Sequence, residues 1–218
     1  MNNINLEDIF IKCVEYSKKI RNIDLRDCCQ KILRDYKEKL IKKPATTGAH
    51  HYFEGGLLYH IYCVTRNAIT IMELYPKLNV DSDLVIFGAL LHDIGKTKNY
   101  TDWSDKSEYE HNGSQLLGHS YEGTHLVENY LSEYKLDEDF KNQVLHMIGS
   151  HMNEFSDWGT LVLPKMLEVI IINFADKIDA TLEPAHNVIN QAKTGEKYKI
   201  CNAPRDYYKS LNTEYQDL

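Results

Sequence analysis

The chain has 218 residues, of which 43% are hydrophobic and 26% charged, and its formal net charge is −7 at pH 7. This composition is typical of a globular protein and excludes collagenous, disordered and disulfide-rich classes. Its apolar stretches, such as Val169 to Ala175, are too short for a membrane span, and MNNINLEDIF lacks the pattern of a secretory signal. We therefore expect a cytoplasmic protein without a membrane partner.

Apolar residues recur at helical spacing along most of the chain, and the alternation typical of strands is not sustained. The pattern predicts an all-α protein, with Asp81 and Asp137 as N-caps of two helices. The predicted helices cover residues 6–20, 24–41, 56–75, 82–93, 120–134, 138–150 and 165–193. The five cysteines are odd in number and form no CxxC pair, which indicates reduced packing residues.

Charged residues are distributed unevenly along the chain. Residues 1–45 hold 11 Lys and Arg against 7 Asp and Glu, so the remainder is strongly acidic. We expect a basic helical appendage over residues 1–43, a main domain over 44–195 and a polar C-terminal tail over 196–218. The acidic main domain makes a long nucleic-acid duplex an unfavourable partner.

Several histidines and aspartates stand where apolar residues are expected. His60 lies on the apolar side of its helix, and His92-Asp93 directly follows the run LVIFGALL. Asp176 lies within VIIINFAD. A buried carboxylate is costly unless a cation or donor compensates it, and we expect no Lys or Arg on the same helix face. Singly, each residue could be a satisfied core residue, but facing helices build metal sites in bundle interiors. The predicted ligands are four histidines and two aspartates: His60, His92, Asp93, His119, His151 and Asp176.

The motifs GGLLYH, LHDIGK, LLGHS, SHM and FADKIDA occur in this order. They resemble the motifs of the HD-domain superfamily of metal-dependent phosphohydrolases. Residues 44–180 most resemble the HD domain of the YhaM-type 3′-to-5′ exoribonucleases, through segments such as EHNGSQLLGH and HMIGSH. The resemblance implies an HD-domain helical bundle with a metal site in its core.

The resemblance also implies two metal ions per chain. Neutral imidazole with carboxylate suits divalent transition metals, and the expected ions are Mn, Fe, Co or Ni. One ion would be held by four side chains, namely His60, His92, Asp93 and Asp176. A second ion would be held by His119 and His151, with Asp93 bridging the two.

Other residues near these motifs are candidates for catalysis and substrate binding. Asp93 and Lys96 are the predicted catalytic residues, and Lys96 is expected to hold the substrate phosphate as a point charge. His50 and His51 are expected to contact substrate, with a loop-surface position as the alternative. Trp158 is a candidate for stacking on a base, with an aromatic staple under a loop as its alternative.

Two further residues have open interpretations. Asp179 either orients a metal-bound imidazole or is an exposed helix carboxylate. His146 lies about 140° round the helix from His151 and is expected off the ligand face.

Two divalent ions that share a water generate hydroxide near neutral pH and stabilise charge on a phosphoryl oxygen. We therefore expect a metal-dependent phosphohydrolase or phosphodiesterase acting on a nucleotide, dinucleotide or short single-stranded oligonucleotide. Two alternatives stay open: an HD-type mixed-valent diiron oxygenase, which uses a similar ligand set, and a non-catalytic binding module stabilised by metal. The sequence leaves the oligomeric state open.

Overall fold

The computed structural model describes residues 5–103, 116–152, 159–190, 197–199 and 206–208. Within these ranges lie eight helices and two strands: α1 (Leu6–Ser17), α2 (Ile23–Leu40), α3 (Gly56–Leu74), α4 (Ser82–Leu91), α5 (Lys96–Asn99), α6 (Gly118–Leu131), α7 (Glu138–Gly149), α8 (Leu167–Ile189), β1 (Lys197–Lys199) and β2 (Asp206–Tyr208). The all-α prediction is confirmed. The two short strands pair antiparallel, with Tyr198 opposite Tyr207, inside the segment expected to be a polar tail.

Helix starts follow local capping chemistry. The side chains of Asp81 and Asp137 accept hydrogen bonds from the amides that begin α4 and α7, as predicted. Asn5 and Asn22 cap α1 and α2 in the same way. The single turn of α5 was not predicted, because four residues are too few to show a helical period. Among the described helices, none has both the length and the apolar character that a membrane span requires.

Helix α4 lies at the centre of the hydrophobic core. Every residue from Asp83 to Leu91 is buried, as expected for a helix that is apolar on all sides. At Gly88, an added Cβ would lie 2.5 Å from the side chain of Ile172 in α8 and 3.0 Å from that of Met147 in α7. Because Gly88 has no side chain, α4, α7 and α8 approach one another closely. This packing fixes where the C-terminal end of α4 lies in the core.

The first two helices pack into this same core. Phe10 and Cys13 of α1 and Leu33 of α2 belong to the buried cluster that contains α4. Their connection is also held to α4 by Asp83, whose carboxylate accepts hydrogen bonds from the backbone amides of Arg21 (3.1 Å) and Asn22 (2.9 Å).

The buried cysteines provide a test of this core. No disulfide joins Cys13, Cys28 or Cys29, and burial raises the pKa of Cys13 and of Cys28 to about 12. We expect all three thiols to resist N-ethylmaleimide at pH 8 in the native protein, because the thiolate is the reactive form. Peptide mass spectrometry measures the labelling, with guanidinium-unfolded protein as the control. Equal labelling of native and unfolded protein would contradict the described packing.

Candidate metal centre

The loop before α3 brings His50 and His51 close to the first turns of the helix. Gly55 has φ +76° and Gly56 begins α3, where an added Cβ would lie 1.9 Å from the carbonyl oxygen of His51. Only glycine permits this approach, so the loop folds tightly against the helix start. One turn further along α3, His60 is completely buried. The loop and the first turns of α3 thus form one wall of the candidate site.

Backbone carbonyls orient two of the histidines. The Nδ1 atom of His92 lies 2.9 Å from the carbonyl oxygen of Ala89, and that of His151 lies 2.7 Å from the carbonyl oxygen of Ile148. Since a carbonyl only accepts, each Nδ1 carries a proton, and in the neutral form of each ring Nε2 then offers a lone pair.

These lone pairs face other histidines. The Nε2 of His92 lies 3.3 Å from that of His60, and the Nε2 of His151 lies 3.3 Å from that of His119. Burial lowers the pKa of His92 to about 4 and that of His119 to about 3. Both rings are therefore neutral at physiological pH, which is the form that binds metal.

Asp93 lies between the two histidine pairs. Its Oδ2 atom is 3.4 Å from Nε2 of His60 and 3.5 Å from Nε2 of His92. Its Oδ1 atom is 3.5 Å from Nε2 of His119 and 3.7 Å from Nε2 of His151. One carboxylate therefore presents a different oxygen to each pair.

These separations fit metal coordination. Two ligand atoms about 2.1 Å from one ion lie roughly 3.0 to 3.5 Å apart. Asp93 forms one group with His60 and His92 and another with His119 and His151, and the donor atoms within each group lie within 4.8 Å of one another. The remaining predicted ligand is Asp176, whose Oδ1 lies 3.2 Å from Nε2 of His60. The structure thus brings all six predicted ligands together, and their ligand role stays a prediction.

Lys96 lies next to Asp93, with its Nζ atom 2.7 Å from Oδ2 and its side chain 10% exposed. The expectation that no Lys or Arg compensates Asp93 is therefore wrong. The turn that leads into α5 brings the two residues together, since the amide of Lys96 donates to the carbonyl of Asp93. Burial alone would raise the pKa of Asp93, but Lys96 and the surrounding histidines hold it well below its usual range.

Asp179 orients one of the imidazoles. Its Oδ2 accepts hydrogen bonds from Nδ1 of His60 at 2.6 Å and from Nε2 of His51 at 2.8 Å. Burial would raise the pKa of Asp179, but these two bonds outweigh it and hold the pKa below its usual range. The alternative of an exposed carboxylate is wrong, because the side chain is only 10% exposed.

The candidate substrate residues differ in their surroundings. The side chain of His51 is 2% exposed, so its loop-surface alternative is wrong. The ring of His50 lies 4.8 Å from that of His60, and its buried Nε2 has no hydrogen-bond partner among the described residues. Burial lowers the pKa of His50 to about 2. Trp158 lies outside the described residues.

Two polar residues support the walls of the site. His146 lies off the ligand cluster, as expected, with its Nδ1 2.9 Å from the hydroxyl of Ser150 and its Nε2 accepting the amide of Lys165 at 3.0 Å. Asn173 was not predicted. Its side-chain amide donates to the carbonyl of His151 at 2.8 Å. The signal for it was present, since Asn173 is a polar residue inside the apolar run VIIINFAD.

Comparisons with known proteins agree with this geometry. The family model described as HD domain matches residues 57–181. The 3′-5′ exoribonuclease YhaM of Bacillus licheniformis is 29% identical to this chain over 199 residues, which make up 90% of the chain. The chain spans 62% of the length of that relative. No solved structure gives a significant match.

The resemblance inferred from the motifs is thereby confirmed. Residues 57–181 are more than half of the chain, and they run from the turn of α3 that precedes His60 to the part of α8 that follows Asp179. The chain belongs to the HD domain family.

Proposed function

We propose that the chain is a metal-dependent phosphohydrolase or phosphodiesterase that hydrolyses a phosphoester bond in a nucleotide, dinucleotide or short single-stranded oligonucleotide. Membership of the HD domain family and the exoribonuclease relative support the broader class. The observation that carries the proposal is the placement of Asp93, whose two oxygens each face a pair of histidine nitrogens. A carboxylate in this position suits two ions that share it as a bridge.

In this proposal, six side chains hold the ions: His60, His92, Asp93, His119, His151 and Asp176. Divalent ions bound there would supply a water of lowered pKa and would neutralise charge that develops on the phosphate. The protein orients the rings, because Ala89 and Ile148 accept the Nδ1 protons of His92 and His151 and leave both Nε2 atoms free to coordinate. The bound metal is from among Mn, Fe, Co and Ni, since these ions suit mixed imidazole and carboxylate ligands.

Lys96 and His50 are the proposed substrate contacts. Lys96 pairs with Asp93 in the structure, and its ammonium group would bind a phosphate oxygen of the substrate. His50 is kept as a proposed substrate contact because its ring lies beside the same cluster, 4.8 Å from the ring of His60. Trp158 is kept as a proposed stacking contact for a base.

The first experiment measures hydrolysis by metal-stripped protein reloaded with Mn, Fe, Co or Ni. Its substrates are bis-p-nitrophenyl phosphate, cyclic and linear dinucleotides, short single-stranded RNA and DNA, and an RNA duplex. We expect the single-stranded RNA or a dinucleotide to be cleaved and the duplex to be poor. Asp93→Asn should reduce the rate more than about 100-fold, because losing even an outer partner of a metal ligand costs 10- to 100-fold.

His125→Asn is the matched control, since His125 lies on the exposed side of α6 with its side chain 51% exposed. Its activity should equal that of the wild type. Stoichiometric metal without hydrolysis of any substrate would refute the proposal. Oxygen uptake by the iron-loaded protein would then identify a diiron oxygenase, and metal-dependent stability alone would indicate a binding module.

A second prediction concerns the pair of Lys96 and Asp93. Lys96→Met should lower the free energy of unfolding of metal-stripped protein by about 3–5 kcal/mol, because it leaves a buried carboxylate without its cation. Saturating Mn or Co should restore most of the loss, since the ions then compensate Asp93. Urea unfolding followed by circular dichroism measures both values.

Lys77→Met is the control for this experiment, because Lys77 is exposed in the connection between α3 and α4. Its effect should stay within about 0.5 kcal/mol. A loss in Lys96→Met that is the same with and without metal would show that the ions do not compensate Asp93.

A further inference from the structure

We infer that His51 is a positioning residue of the metal centre: it holds Asp179, and through Asp179 it orients the ring of His60. This assignment replaces the substrate contact expected for His51 from the sequence. It rests on the proposed function only in taking His60 as a metal ligand.

The contacts form a chain of two hydrogen bonds. One carboxylate oxygen of Asp179 accepts from Nε2 of His51 at 2.8 Å and from Nδ1 of His60 at 2.6 Å. A carboxylate oxygen has two lone pairs, so it satisfies both rings at once. Because Nδ1 of His60 donates to Asp179, Nε2 is the ring nitrogen that faces the Asp93 and Asp176 carboxylates, at 3.4 Å and 3.2 Å.

A third metal ion would be another use for these residues, since the donor atoms of His51, His60 and Asp179 also lie within 4.8 Å of one another. The distances oppose it. A separation of 2.6 Å between Nδ1 and Oδ2 is that of a short hydrogen bond, whereas two ligands of one ion lie roughly 3.0 Å or more apart. His60 would also need a metal on each nitrogen, which requires a fully deprotonated ring. The geometry therefore favours a hydrogen-bonded support.

The backbone of the loop presets the direction of the His51 side chain. His51 has φ +46°, in the left-handed region that few non-glycine residues adopt. Its carbonyl oxygen accepts the amides of Ala45 at 3.3 Å and Phe53 at 3.0 Å and lies against Gly56. Its own amide donates to the carboxylate of Glu183 in α8 at 3.3 Å. An unusual conformation held from several sides is typical of functional positions.

Burial excludes direct contact between His51 and a substrate. With its side chain only 2% exposed, His51 packs against the ring of Tyr59 at a centroid distance of 5.1 Å. Its partner Asp179 follows Asp176 by three residues on α8, so both carboxylates lie on the same side of that helix. His51 therefore joins the loop to the helix that carries a proposed ligand.

Two substitutions at His51 in the 218-residue chain separate this role from others. His51→Asn accepts a left-handed backbone but is too short to reach Asp179. His51→Gln places an amide donor near the position of Nε2. We expect His51→Asn to weaken Co(II) binding about 10- to 100-fold and His51→Gln to stay within about threefold of the wild type. Titration against a chelator, read by the visible absorption of bound Co(II), measures both affinities without turnover.

A double-mutant cycle tests whether the effect passes through Asp179. Asp179→Asn should weaken Co(II) binding, and adding His51→Asn to it should have little further effect, because both changes remove the same support. His125→Asn, on the exposed side of α6, is the matched control and should bind Co(II) like the wild type.

Three results would overturn the inference. In the first, His51→Asn leaves Co(II) affinity within twofold and instead raises KM, which would indicate a substrate contact. In the second, the Asn and Gln variants weaken binding equally, so that the bond to Asp179 is not the cause. In the third, neither variant folds to a helical chain by circular dichroism, so that His51 has a structural role only. A wild type that binds Co(II) but hydrolyses nothing would refute the proposed function and leave this inference standing.

Discussion

The buried charge of Asp93 is the constraint on which the rest of the structure depends. Its side chain is 2% exposed, so its carboxylate requires compensation from within the protein. Lys96 meets one oxygen, and histidine nitrogens approach both oxygens. Lys96 is placed by a turn, His92 and His151 by backbone carbonyls, and His60 by the carboxylate of Asp179. The site is therefore a continuous network and not a set of independent side chains.

The hydrophobic core and the candidate site share one element. Helix α4 is buried from Asp83 to Leu91, and its last turn leads directly into His92 and Asp93. The close approach at Gly88 brings α7 and α8 against α4, so His151, just beyond the end of α7, and Asp176 on α8 are carried toward the end of α4. Changes in the packing of α4 would consequently alter the separations of the ligand atoms as well as stability.

Local chemistry in the sequence predicted the helices and the candidate ligands but not several of their contacts. Seven helices and the caps at Asp81 and Asp137 follow from apolar spacing and polar residues at helix starts. The pairing of Lys96 with Asp93 was missed because it depends on a turn that has no periodic signal. His51 was interpreted as a loop residue near substrate, since nothing in its neighbours reveals that the loop folds under α3.

By itself, the sequence determined the helical class, the order of the motifs and the six polar residues placed among apolar ones. Tertiary structure decided which oxygen of Asp93 faces which histidines, how Asn173 supports His151, and that His51 reaches Asp179 on α8. The physical reason lies in the range of the forces. Apolar periodicity and capping act within a few residues, whereas His51 and Asp179 are separated by 128 positions and meet only after the loop and α8 have packed.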